Sequence, residues 1–129
     1  MIRVLALFII LISASVSASE SVAVITADEW ARPRSGASLV QMPALKRTVR
    51  DYLRMQGDAQ NSAQDDTQGN TQSGQRILIH HPRGEEGVLW AEELRGWLVA
   101  LGVPSTDIEL SADSTRIDAI ELEVKSADN

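Results

Sequence analysis

The stretch Ile120-Glu121-Leu122-Glu123-Val124-Lys125 decides the fold. Apolar and charged residues alternate one for one, and a strand turns successive side chains to opposite faces. Ile120, Leu122 and Val124 are therefore expected on the core, and Glu121, Glu123 and Lys125 in water. A sheet covered by helices on both faces has no place for such a wet side. The helices of this chain are expected on one face only, which makes the fold a two-layer α+β sandwich.

Upstream of that strand, Ile108 and Leu110 mark another short one. Ser111-Ala112-Asp113-Ser114-Thr115 is tight enough to predict that the two strands are hairpin neighbours. A helix is predicted from Glu85 to Leu101: the two acids Glu85 and Glu86 suit its positive end, and Gly102 suits a left-handed stop. Its inward face is Trp90, Ala91, Leu94, Trp97, Leu98 and Leu101, and the seven-residue spacing of the tryptophans puts them on the core stripe rather than on a ligand-stacking surface. Ile77-Leu78-Ile79 reads as a buried strand bounded by Arg76 and by Pro82-Arg83-Gly84.

Nearer the N-terminus, Val22 to Thr26 forms a short strand ended by Asp28-Glu29-Trp30, and a second extended piece is expected through Leu39 and Val40. Pro43 suits the first turn of a helix, where its missing N–H costs nothing. Leu45, Val49, Tyr52 and Leu53 then recur at helical spacing, with Lys46, Arg47, Arg50 and Asp51 on the other face, so a helix is predicted over 43–56 with Gly57 as its stop. Residues 57–75 hold no apolar side chain larger than alanine and cannot repay the entropy of ordering, which predicts a flexible surface loop, either a solvated insertion or a segment that orders on a partner. The resulting order is β-α-β-α-β-β, with two helices on one face of a small mixed sheet.

The first residues carry a different signal. Arg3 precedes the apolar run Val4 to Ile12, and a stretch of small residues, Val16 apart, runs from Ser13 to Ser19. That is the layout of a signal peptide, 1–18, with cleavage expected after Ala18 and export to the periplasm. The alternative is a retained anchor, but the run is about half of the roughly 20 residues needed to span a bilayer. The chain contains no cysteine, which excludes a lipoprotein, disulfides and thiol chemistry. Loss of Arg3 moves the formal charge from −6 to −7, a sign that repels phosphate backbones and argues against a nucleic-acid partner. Residues 19–129 form one domain with no transmembrane segment expected in the mature chain. The basic residues Arg32, Arg34, Lys46, Arg47, Arg50 and Arg54 all precede residue 55, so the helix face of Lys46, Arg47, Arg50 and Arg54 is the candidate partner surface.

Chemical motifs are sparse. The rings of His80 and His81 are expected on opposite faces of a strand, and although Glu85 and Glu86 lie nearby, no spacing matches a zinc or calcium motif. No metal or cofactor is expected, nor is there a Gly-x-Ser-x-Gly elbow. Arg83 precedes a helix start, where a guanidinium and free backbone N–H groups can hold a carboxylate or phosphate together; the simpler alternative is pairing with Glu85 or Glu86. Arg83, His81, Glu85 and Glu86 are the candidate ligand-binding residues.

A series of matches then points to a family. Ile77-Leu78-Ile79 runs into His80-His81-Pro82-Arg83, the next helix carries Trp90-Ala91, Trp97-Leu98 leads to Gly102-Val103, and Arg116-Ile117-Asp118 introduces the last strand. Residues 77–124 thereby resemble the OmpA-like domain, a periplasmic β-α-β-α-β-β module that usually binds peptidoglycan. Its members run a strand into Gly-His-Thr-Asp, place Asn-x-x-Leu-Ser-x-x-Arg-Ala at the front of a long helix, follow Tyr-Leu with Gly-Val or Gly-Ile, and open the last strand with Arg-Val-Glu-Ile. In the family, the aspartate of the first motif and the arginine of the second hold the diaminopimelate end of the stem peptide. Arg83 and Trp90 occupy those positions here, which inverts one charge of the pair and removes the other. The resemblance implies a non-enzymatic, outer-membrane-associated envelope protein, either an accessory or scaffold bound to another envelope protein, or a binder of peptidoglycan or another anionic wall ligand through Arg83. If the export reading is right, N-terminal sequencing of the exported chain returns Ser19 first; a membrane-held chain beginning at Met1 contradicts it.

Overall fold

The computed structural model describes residues 22–63 and 74–126; the segment read as a signal peptide and most of the polar stretch read as a loop lie outside the described residues. The sheet is organised around β4 (Ala119–Ser126), which pairs antiparallel with β1 (Ala23–Thr26) on one side and with β2 (Gln75–His80) on the other. The fourth strand, β3 (Ile108–Ser111), lies parallel to the far edge of β2, giving the order β1-β4-β2-β3. Register places Ile25 opposite Ile120, Ile79 opposite Leu122, and Ile77 between Val124 and Ile108. Rows of branched side chains thus cross the sheet on one face, and Ile25, Ile77, Ile79, Ile120 and Leu122 are buried there.

The hairpin expected between the last two strands does not form, because β2 and β4 lie side by side and β3 is displaced to the edge. The cause is visible at the end of β2. His81 N–H donates to Ser111 O at 2.8 Å, and Ser114 N–H donates to His81 O at 3.3 Å. These bonds draw the connection over the end of β2, so the chain crosses that strand before entering β4.

Two long helices cover the apolar face. In α3 (Pro43–Ala63), Ala44, Leu45, Thr48 and Tyr52 are buried, and the Thr48 hydroxyl returns a bond to Ala44 O at 2.9 Å. Gly57 does not stop this helix: a glycine costs only about 1 kcal/mol relative to alanine, too little to outweigh continuing backbone bonds through Gln56, Ala59 and Gln60. The loop expected over 57–75 is thus corrected at both ends: residues 57–63 continue α3, and Gln75 belongs to β2. Tyr52 O–H donates to Asp107 Oδ2 at 2.6 Å, tying α3 to the 3-10 turn Ser105–Asp107. Burial, reinforced by that carboxylate, pushes the Tyr52 phenol up to about 12.

In α4 (Glu85–Ala100), Gly87, Ala91, Leu94 and Leu98 are buried and Trp90 and Trp97 pack on the flank of the core. Leu101 departs from the expected inward face, with 38% of its surface exposed, because it caps the helix beyond the last turn. Gly102 follows at φ 103°, in the left-handed region expected for the stop.

The segment between β1 and α3 holds two single-turn helices, α1 (Ala27–Trp30) and α2 (Gly36–Leu39). The extended piece expected at Leu39 is helical instead, since Ser35 and Ser38 form a reciprocal cap: Ser38 N–H donates to Ser35 Oγ at 3.2 Å and Ser35 N–H to Ser38 Oγ at 2.8 Å. Trp30 is buried, the Arg34 guanidinium lies 4.4 Å from the centre of its ring, and Arg34 grips Glu93 of α4 through bonds of 3.0 and 2.9 Å. A charged fork and a cation–π contact thus fasten this segment to α4.

The entry to α4 has little spare room. A Cβ added at Gly87 would lie 2.0 Å from Pro82 O, whereas one at Gly96 meets nothing within 4 Å. Gly87→Ala is expected to destabilise by about 1–3 kcal/mol, and Gly96→Ala to stabilise by up to about 1 kcal/mol. Urea denaturation of the two variants checks both; equal effects contradict the packing described.

Candidate functional site

The outer face of α3 carries the chain's densest basic surface among the described residues. Because Leu45, Thr48 and Tyr52 turn inward, the helical period turns Lys46, Arg47, Arg50, Leu53 and Arg54 outward, and all five are exposed. From Lys46 to Arg54 the stripe runs about 12 Å along the axis. Arg50 and Arg54 flank Asp51 at 3.7 and 3.4 Å, pairs that at an exposed surface contribute little to stability. Leu53, expected on the apolar face with Leu45, Val49 and Tyr52, lies instead at the border of this stripe with 56% of its surface open, because the helical period carries it off the buried side set by Leu45, Thr48 and Tyr52. Long flexible cations around an exposed aliphatic side chain form an amphipathic contact surface able to engage carboxylates and an apolar group together.

The residues expected at the start of α4 are only partly brought together. Arg83, Glu85 and Glu86 are all exposed, and Arg83 Nε donates to Ala112 O at 3.4 Å rather than to either glutamate. His81 lies on the other side of the strand: it is buried, with Nδ1 2.9 Å from Pro82 O. Its ring is thus occupied in shaping the turn before α4. Gly84, at φ 102°, sets the entry angle of the helix. The carboxylates of Glu85 and Glu86 sit in the first turn and offset the attraction that free N–H groups and Arg83 offer an anion.

The opposite face of the sheet carries a charge cluster that sequence reasoning did not assemble. His80 projects there, as the alternation with His81 requires. Its Nδ1 lies 2.7 Å from Asp113 Oδ1 and its Nε2 lies 3.1 Å from Glu123 Oε2. Glu123 was expected in water, yet only 6% of it is exposed, because His80 and Lys125 close over it, with Lys125 Nζ 3.3 Å from the carboxylate. Burial alone lowers the His80 pKa, but hydrogen bonds and charge from Asp113 and Glu123 raise it above the ordinary imidazole value. Hydrogen bonds from His80 and Ser111 hold the Asp113 carboxyl below its usual range. Nearby, Ser114 Oγ and Thr115 Oγ1 donate to Glu121 at 3.1 and 3.3 Å. The sequence signal was present: Arg76, Leu78 and His80 alternate outward in β2 opposite the outward residues of β4. Joining them required the pairing of β2 with β4.

Comparison of the chain with family models, with curated proteins and with solved structures found no match to any of them. Among the described residues, no helix is long and apolar enough to cross a membrane, and no group of three or more histidine, aspartate or glutamate side chains is placed to hold a metal ion. The basic face of α3 is expected to be dispensable for folding. Single alanine substitutions at Lys46, Arg47, Arg50 and Arg54 should each shift unfolding free energy by less than about 0.5 kcal/mol; a larger loss in thermal or urea unfolding would assign these side chains to the fold instead.

Proposed function

We propose that this chain is a non-enzymatic accessory or scaffold of the cell envelope, exported to the periplasm and built on an OmpA-like architecture, which docks an acidic envelope protein through the outer face of α3. The observation that carries the reading is the face itself. Lys46, Arg47, Arg50 and Arg54 are exposed beside exposed Leu53 on a helix whose inner side is committed to the core, in a chain of net charge −6. A basic stripe on an otherwise acidic molecule orients it toward an acidic surface and repels approach by its other faces. The element order, with two helices over one face of a mixed sheet, supports the family reading.

The polar cluster, bonded within itself, supports the non-enzymatic reading. Both ring nitrogens of His80 face carboxylates, and the single Ser114 hydroxyl proton is shared between Arg116 O at 2.9 Å and Glu121 Oε2 at 3.1 Å, an arrangement that does not favour either group as a base or nucleophile toward a third molecule. A second reading, binding of peptidoglycan or another anionic wall ligand, rests on Arg83 standing exposed beside the first turn of α4. Glu85 and Glu86 weigh against it.

One experiment separates the two. A photoreactive residue in place of Leu53 is expected to give a discrete protein adduct in the envelope, absent when it replaces Leu89, an exposed leucine of α4. Sedimentation with peptidoglycan sacculi is expected to leave the chain in solution. Saturable co-sedimentation lost in Arg83→Ala, with no adduct from position 53, would replace the first reading with the second.

A further inference from the structure

We propose that His80 is a proton-operated clip that fastens the connection between β3 and β4 to the open face of the sheet. This goes beyond the docking role and does not depend on it. The geometry is a three-group bridge: Asp113 belongs to the connection, His80 to the end of β2 and Glu123 to β4, and the imidazole joins them through bonds of 2.7 and 3.1 Å. Only an imidazolium donates through both nitrogens at once.

Every charged group around the ring bears on its proton. From β4, Glu123 accepts from Nε2 and is neutralised in part by Lys125, while Glu121 stands opposite His80 in register and is occupied by Ser114 and Thr115. From β3, Ser111 lies beside His80 and bonds Asp113, and Glu109 pairs with Arg76 of β2 at 3.5 Å. From the connection, Arg116 pairs with Asp118 at 3.5 Å, and Arg83 reaches Ala112 O. Ala27 N–H also holds Asp118 O at 2.7 Å from the β1 side. Carboxylates touch the ring directly; among the nearby cations Lys125 shares Glu123 with the ring, while Arg76, Arg83 and Arg116 are engaged with Glu109, Ala112 O and Asp118.

Loss of one proton to solvent leaves a neutral imidazole with a single N–H. The two carboxylates do not compete equally for it. Glu123 is 6% exposed, so losing the imidazole would leave a buried charge with only its Lys125 pair at 3.3 Å, whereas the Asp113 side chain is 58% exposed and water can replace the bond it loses. The N–H therefore stays on Nε2, the Nδ1 lone pair faces Asp113, and the connection is released on that side. The backbone bonds left at its start are Ser114 N–H to His81 O and Thr115 N–H to Glu121 Oε2, both 3.3 Å, beside the Ser114 and Thr115 hydroxyls on Glu121 at 3.1 and 3.3 Å and Arg83 on Ala112 O at 3.4 Å. The segment that loosens carries Ile117, which is 91% exposed.

The sign follows from the direction of each shift. His80 is raised above 6.5, so the clip is fully closed below 6.5 and opens as pH climbs through the raised value. Asp113 is lowered from 3.8, so its half of the clip is lost only as pH falls through that lower value.

The test is NMR on the full chain, following His80 ring titration and amide exchange at Ser114 and Thr115, each rate corrected for its intrinsic pH dependence. His80 is expected to titrate above 6.5, and protection of both amides to fall about tenfold across that titration, the loss of one charge-assisted bond. In His80→Gln and in Asp113→Asn, protection should be low at all pH values above 5. A ring that titrates at or below 6.5 overturns the proposal, as does protection that is unchanged across the titration or retained in Asp113→Asn.

Discussion

The alternation of β4 between branched apolar and charged side chains is the constraint on which the other features depend. Burying Ile120 and Leu122 contributes about 1.5–3 kcal/mol each, and it is available only if β1, β2 and both long helices supply apolar partners on that side. Glu121, Glu123 and Lys125 must then share the far side. A buried carboxylate such as Glu123 is costly unless neighbours bond to it, and His80 and Lys125 meet that demand. One strand thus fixes both the hydrophobic layer and the charged surface behind it.

That division separates two chemistries. Helix α3 is held against the core by Leu45, Thr48 and Tyr52, which leaves its cationic side exposed to solvent. The open sheet face gathers carboxylates around a single imidazole. Its charges are linked through short bonds to a connection that crosses the end of β2, so protonation there acts on a loop and not on the core. The core between the layers keeps the two surfaces from exchanging contacts.

Much of this was legible in the sequence because periodicity reports burial directly. The two long helices, most of their inner faces and the four strands follow from apolar spacing, with Leu53 and Leu101 exposed against expectation, and Gly102 marks the end of α4 as its φ requires. Partner choice between strands was not legible: a short link between Leu110 and Ile120 fits a hairpin equally well until the His81 backbone bonds are known. The capping pair Ser35 and Ser38 was readable but outweighed by the apolar Leu39 and Val40, and Gly57 was given more stopping power than its small helical cost allows. The basic face of α3 was recognised because it needs only a helical period. The His80 cluster was missed because it joins residues from β2, β4 and a connection, and nothing along the chain announces that Asp113 and Glu123 meet the same ring.

The docking role proposed for α3 is tested most directly by asking whether its charge holds the chain to the envelope. Lys46, Arg47, Arg50 and Arg54 are replaced together by glutamine, and the fraction of chain that cofractionates with the envelope is measured at low and raised salt, with circular dichroism as the control for folding. The account predicts that the native chain is retained at low salt and released by raised salt, and that the folded variant is released at both. Retention of the folded variant at the native level would contradict it.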